Sequence, residues 1–222
     1  MNEIGSVLNF ERGIFYTIRE MFLRPGATTR KFIAGDRDTI VKPILFLIIC
    51  SLVYSAGQHF LNYETGYIRF DTKDQVNTPI VVDIFEWFSQ NYGYANILMT
   101  IIIALWIRVF FRMYTYNYYE IFVLLCYVMG VSVLIYSLLG VFENIIDMSV
   151  LHVGKFVVFV YSSWAIGQFF DGSKKMNYLK GFLSYLLLLH IVTLLLFSPK
   201  GLPAYVFCLI CRHGETQKPN GK

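Results

Sequence analysis

Five long apolar runs, bounded by charged or turn-forming residues, limit what this chain can fold into. They cover about residues 43–61, 94–111, 119–142, 150–170 and 182–197. A hydrocarbon core takes about 20 helical residues to cross. Composition agrees: 56% of residues are hydrophobic and 15% charged, against about 45–50% and 25% in soluble domains. A disordered chain, a disulfide-stapled secreted miniprotein and an ordinary cytosolic enzyme are thereby excluded. The expected fold is all-α, a polytopic membrane helical bundle. It should hold about five transmembrane helices plus interfacial amphipathic helices.

Three regions are expected. Residues 1–42 form a cytoplasmic amphipathic and basic region. Val7, Phe10, Ile14, Ile18, Met21 and Phe22 recur at three- and four-residue steps, with Asn9, Glu11, Arg12, Arg19 and Glu20 between them. That pattern predicts an amphipathic helix lying in the interface. Arg24-Pro25-Gly26 breaks it, a short helix follows over 28–34, and Gly35 stops that helix. Residues 43–198 form the bundle, with an outer loop at 62–91. Within this loop Thr78-Pro79 starts a second interfacial helix, over 79–90. Residues 199–222 form a short apolar segment and a basic tail. The fifth run either spans fully or turns at Pro199-Lys200-Gly201, with 202–211 coming back as a re-entrant segment.

Charge sets the expected orientation. With the N-terminus inside, twelve Lys/Arg ahead of the tail fall on the cytoplasmic side, against Arg69, Lys73 and Lys155 opposite, while five full spans would also put Lys200, Arg212, Lys218 and Lys222 opposite, against the bias. Basic residues prefer the cytoplasmic side, so the expected location is a bacterial inner membrane, N-terminus in. The net charge of +4 is then a cytoplasmic surplus facing an acidic outer loop.

Few side chains offer chemistry. Cys208-Leu209-Ile210-Cys211 has C-x-x-C spacing, but a zinc site needs four ligands and a redox pair needs a polarised thiol. Membrane-embedded or lipid-modified cysteines fit better, and no metal or cofactor is expected. Gln58, Asn96, Thr100, Gln168 and His190 are the intramembrane polar groups, suited to interhelical hydrogen bonds or to a path through the membrane. No Asp or Glu sits mid-span, which weighs against coupled transport. His59, His152 and His190 are scattered over different depths. Gly130, Ser132, Ser137 and Gly140 permit close helix packing. Arg19, Arg24, Arg30, Lys31, Arg37 and Lys42 form a basic patch before the first span, fit for anionic lipid or a docking protein. Asn117 and Glu120 have the spacing of a capping box. The tyrosines at 114, 116, 118 and 119 read as an interfacial belt. Direct nucleic-acid contact is not expected.

Three stretches resemble the domain-of-unknown-function family 3667, a bacterial multi-pass membrane family. They run from Tyr16 through Pro25-Gly26 and Gly35-Asp36-Arg37 to Lys42-Pro43, from Phe111-Arg112 through Asn117-Tyr118-Tyr119-Glu120, and from Phe159 through Phe169 to Leu179-Lys180. The resemblance covers most of residues 12–195, and its matching positions are Pro25, Gly26, Gly35, Arg37, Pro43, Asn117 and Glu120. It implies a multi-pass topology, and most of these positions look structural. Family members commonly carry a Cys-rich zinc ribbon, which these residues lack. In length and span number the chain also resembles small accessory membrane proteins found beside RNA-targeting CRISPR effectors of subtype VI-B.

The expected function is that of a non-enzymatic accessory or regulatory subunit of the membrane. It acts by associating with a protein partner or with its own copies, in phage defence beside an RNA-guided effector. An oligomeric pore that depolarises the membrane is the alternative, and a membrane enzyme or lipid transporter is a third.

Overall fold

The structure is a computed structural model and describes residues 2–35, 37, 39–61, 91–146, 151–172 and 174–197. All regular structure among them is helical: α1 (Asn2–Leu23), α2 (Pro25–Ala34), α3 (Pro43–Leu61), α4 (Tyr92–Phe110), α5 (Tyr118–Ile146), α6 (Leu151–Asp171) and α7 (Lys175–Phe197). Within α3, α4, α5 and α6 the stretches Pro43–Phe60, Gly93–Phe110, Tyr118–Phe142 and Val153–Asp171 are long and apolar enough to cross a membrane. The chain is thus a helical membrane bundle. The expected fifth span falls within α7, a helix of 23 residues that is not among these four. The outer interfacial helix, the re-entrant tail and the Cys208–Cys211 pair lie outside the described residues.

Helix ends follow local chemistry. Pro25 is the first residue of α2, where its missing N–H has no partner to lose. The expected start at residue 28 is therefore late by about a turn: the Arg24-Pro25-Gly26 break is a joint between two helices. Gly35 closes α2 with φ 117°, a left-handed conformation that favours glycine. Its N–H donates to the Phe32 carbonyl at 3.3 Å. At the head of α5, Glu120 accepts from the Asn117 N–H at 2.7 Å, which forms the Glu half of the expected capping box.

α5 lies at the centre. Its apolar window is 61% buried, against 33% for α3 and for α4. It packs most extensively on α3, and also touches α4, α6, α2 and α1. At the α3–α5 crossing a Cβ on Gly130 would meet the Phe46 ring at 2.7 Å, so glycine lets that ring lie against the helix backbone. Ser132, Ser137 and Gly140 are buried on the same helix. Ser132 donates to the Val128 carbonyl one turn back. At Gly130, expected to permit close helix packing, the neighbour is the chain's own Phe46.

The N-terminal helices share the core of the spans. Met21, Phe32, Ile40 and Val41 are buried in one cluster with Phe46, Ile107, Leu124, Val128, Ile166 and Phe169. α1 and α2 therefore do not simply lie in the interface. From Ile14 onward, much of the apolar face of α1 is taken up by protein.

Candidate functional site

The starts of α3, α5 and α7 and the ends of α4 and α6 come together at one end of the bundle, covered by α1 and α2. This basic end gathers most of the residues singled out from the sequence. Hydrogen bonds from two spans fasten the cover. Tyr161 of α6 donates to the Met21 carbonyl at 3.0 Å, and Tyr127 of α5 to the Val41 carbonyl at 2.7 Å. The Val41 N–H donates to the Thr17 hydroxyl at 3.1 Å. The Thr17 hydroxyl donates in turn to the Gly13 carbonyl at 2.7 Å.

The tightest joint is between α2 and the last turn of α6. The Gly26 N–H donates to Gln168 Oε1 at 2.8 Å. Arg30 donates through Nη1 to the Gln168 carbonyl at 2.6 Å and to the Phe169 carbonyl at 2.8 Å. The last carbonyls of a helix lack intrahelical partners and carry partial negative charge, so a guanidinium there is both a cap and a dipole partner. The α2 backbone lies so close that a Cβ on Gly26 would sit 2.5 Å from the Phe169 nitrogen. Next to this joint, Phe111 and Phe170 stack with centroids 3.9 Å apart, and Tyr116 packs on Phe169 at 4.5 Å. Tyr114 donates to Asn177 Oδ1 at 2.8 Å, and Asn177 donates to the Asp171 carbonyl at 3.1 Å. Half of the expected tyrosine belt thus serves as packing between loop 111–117 and the α6–α7 turn.

The expected docking residues separate into two kinds. Arg30 is partly buried and engaged on α6. Arg19, Arg24, Lys31, Arg37 and Lys42 are exposed. Arg37 also sits over the Phe32 ring, 5.7 Å from its centroid. Arg108 donates to the Tyr116 carbonyl, so it braces the loop. Lys174 pairs with Asp171 at 3.1 Å, and the carboxylate beside it holds the ammonium above the usual lysine range.

The intramembrane polar residues do not converge. Asn96 and Thr100 are buried on α4: Asn96 donates to the Ser51 hydroxyl of α3 at 3.0 Å, and Thr100 to the Asn96 carbonyl at 2.6 Å. Gln58 donates to the Tyr54 hydroxyl at 3.1 Å on its own helix. Gln168 stands at the opposite end, in the joint with Gly26. The His190 side chain lies outside the described residues. Replacing Asn96 and Ser51 by alanine, singly and together, should give a coupling of ~0.6 kcal/mol. Thermal unfolding in detergent of the four proteins of that cycle measures it.

Two clefts open between the helices. One, of about 320 Å³, lies between α3 and α4 toward the far end and is lined by Ser51, Ser55, Asn91 and Tyr94 among others. The other, of about 730 Å³, lies at the basic end beside α3, α4 and α5. Hydropathy and spacing gave no sign of either, because each draws on stretches far apart in sequence. Among the described residues no group of three His, Cys, Asp or Glu is placed to hold a metal.

Residues 11–55 match the model of a family described as a protein of unknown function (DUF3667). The family resemblance is supported over that stretch. The match spans the latter part of α1, all of α2, the 35–42 connection and much of α3. It therefore contains Thr17, Gly26, Arg30, Val41 and Phe46, the residues through which the N-terminal helices meet the bundle. No curated protein and no solved structure matches the chain.

Proposed function

We propose, for a chain whose residues 11–55 carry the DUF3667 match, a membrane subunit that acts by association and catalyses nothing itself. Its working surface is the platform of α1 and α2, which presents Arg19, Arg24 and Lys31 to an acidic face of a protein partner. One observation carries this reading. The platform is fixed to α6 through Tyr161, Gln168 and Arg30, and Tyr127 of α5 holds the connection that follows it, while those three cations remain exposed. A surface held rigid before binding loses less ordering entropy on association.

The charge asymmetry supports a bacterial inner membrane with the N-terminus inside. The setting we infer is accessory to an RNA-guided effector in phage defence. It rests on the likeness in length and span number, and the neighbouring genes test it. The pore alternative draws less support, because Asn96 and Thr100 are spent on contacts within the chain. A steady conductance across planar bilayers containing the purified protein would favour it instead.

Charge reversal at Arg19, Arg24 and Lys31 together tests the platform. Partner recovery from native membranes should fall about tenfold, since three rim charges at roughly 0.5 kcal/mol each amount to about one decade of affinity. Insertion and melting temperature should stay as in the parent. Recovery equal to the parent's would overturn the platform reading.

A further inference from the structure

The larger cleft, at the basic end, has a character the platform does not explain. Phe32, Pro43, Ile44, Ile101, Phe122 and Val123 supply apolar wall, and Arg37 and Lys42 supply the charge. Its volume of about 730 Å³ falls in the range of roughly 300–1,000 Å³ that encloses a small amphiphilic ligand. Lys42 precedes the first residue of α3 and Tyr118 is the first residue of α5, so the cationic mouth stands where two spans enter the membrane. Ile44 and Ile101 are 48% and 38% exposed, and Leu45, Ile102 and Leu105 near them are exposed as well. The cleft therefore opens sideways, onto the surface that faces lipid tails.

The geometry points to a bound anionic phospholipid from the surrounding bilayer, its phosphate between Arg37 and Lys42 and an acyl chain along Ile44, Ile101, Phe122 and Val123. Three observations select this occupant. Both cations are exposed and neither is in an ion pair with a described carboxylate. Glu120 of α5 is not among the cleft's lining residues and accepts from the Asn117 N–H. Arg37 is further held by its seat over Phe32, which keeps a flexible side chain at the mouth. A soluble anion would use the two cations and leave the apolar wall wet. A zwitterionic lipid would fill the wall and neutralise less of the charge. An anionic phospholipid satisfies both parts.

The test uses the full chain, purified in detergent and stripped of lipid. It is titrated with phosphatidylglycerol and with phosphatidylcholine of identical acyl chains, and bound lipid is counted by native mass spectrometry. Each cation near a lipid surface contributes a factor of about 5, so phosphatidylglycerol should bind roughly 30-fold tighter. Lys42→Gln should remove about 5-fold of that preference, and Arg37→Gln with Lys42→Gln nearly all of it. Lys175→Gln, an exposed cation at the start of α7 and outside the cleft, should leave it unchanged. Val123→Trp, which fills the apolar wall, should weaken both lipids alike. Asp36 and Asp38 stay constant in every variant, so their charges cancel in the comparison. Equal affinity of the parent for the two lipids overturns the proposal, and so does an undiminished preference in the double variant. Displacement of the lipid by millimolar inorganic phosphate would assign the cations to a soluble anion instead.

Discussion

Gly26→Ala should destabilise the protein by ~3 kcal/mol or more, the sum of overpacking and a strained backbone hydrogen bond. The added Cβ would lie 2.5 Å from the Phe169 nitrogen, 2.6 Å from the Gln168 carbonyl carbon and 2.8 Å from its oxygen. All three are backbone atoms of α6, so no side-chain rotation can make room and the helices must separate. Separation lengthens the Gly26 N–H bond to Gln168 and the Arg30 bonds beside it. Gly93→Ala is the matched control, since nothing lies within 4 Å of its Cβ position. It should be neutral or slightly stabilising, by up to ~0.5 kcal/mol. Thermal melts of both variants in the same detergent decide the point. A Gly26→Ala melt that coincides with the parent's would refute the tight joint.

Arg30→Ala should cost about 3 kcal/mol, because two charge-assisted bonds to helix-terminal carbonyls are lost together. Arg30→Glu should cost more, since a carboxylate would then face carbonyl oxygens at the negative end of α6. Arg30→Lys should recover part of the loss, as a single ammonium cannot reproduce the fork of the guanidinium. Lys31→Glu, one residue on and exposed, should change stability by less than ~0.5 kcal/mol. Melting temperature and protease resistance of the four variants measure the series. Equal melts for Arg30→Ala and Lys31→Glu would show that the α6 carbonyls do not depend on Arg30. The series also bears on any charge-reversal study of the basic patch. A variant that includes Arg30 would unsettle the fold and imitate a loss of partner binding.

What the sequence made legible was what depends on short range or on bulk hydropathy. The spans at 43–61 and 119–142 stand out because lipid demands about 20 apolar residues in a row. The Asn117–Glu120 box was readable because its two members are three residues apart. Gly35 was readable for the same kind of reason, as a local stop. Gly26 was different. Beside Pro25 it looked like part of a break, and its real constraint comes from a residue 142 positions away. Gln168 looked like a polar group within the membrane, because a one-dimensional scan cannot see that the last turn of α6 meets α2. Arg30 and Lys31 are adjacent and alike in charge, yet only the fold separates a structural cap from a free cation. The lipid cleft was invisible for the same reason, since it needs α2, α3, α4 and α5 assembled.

The clasp between α2 and α6 also sets an order of events during synthesis. Gly26 and Arg30 leave the ribosome long before Gln168, Phe169 and Tyr161 exist to receive them. Until the fourth apolar helix has inserted, the N-terminal segment lacks these α6 partners, and its apolar face must rest on the membrane surface or on a chaperone. Closing a loop of this length is slow compared with forming the helices themselves. The α1–α2 segment, made before the spans that receive it, is thus among the last of these elements to reach its final place.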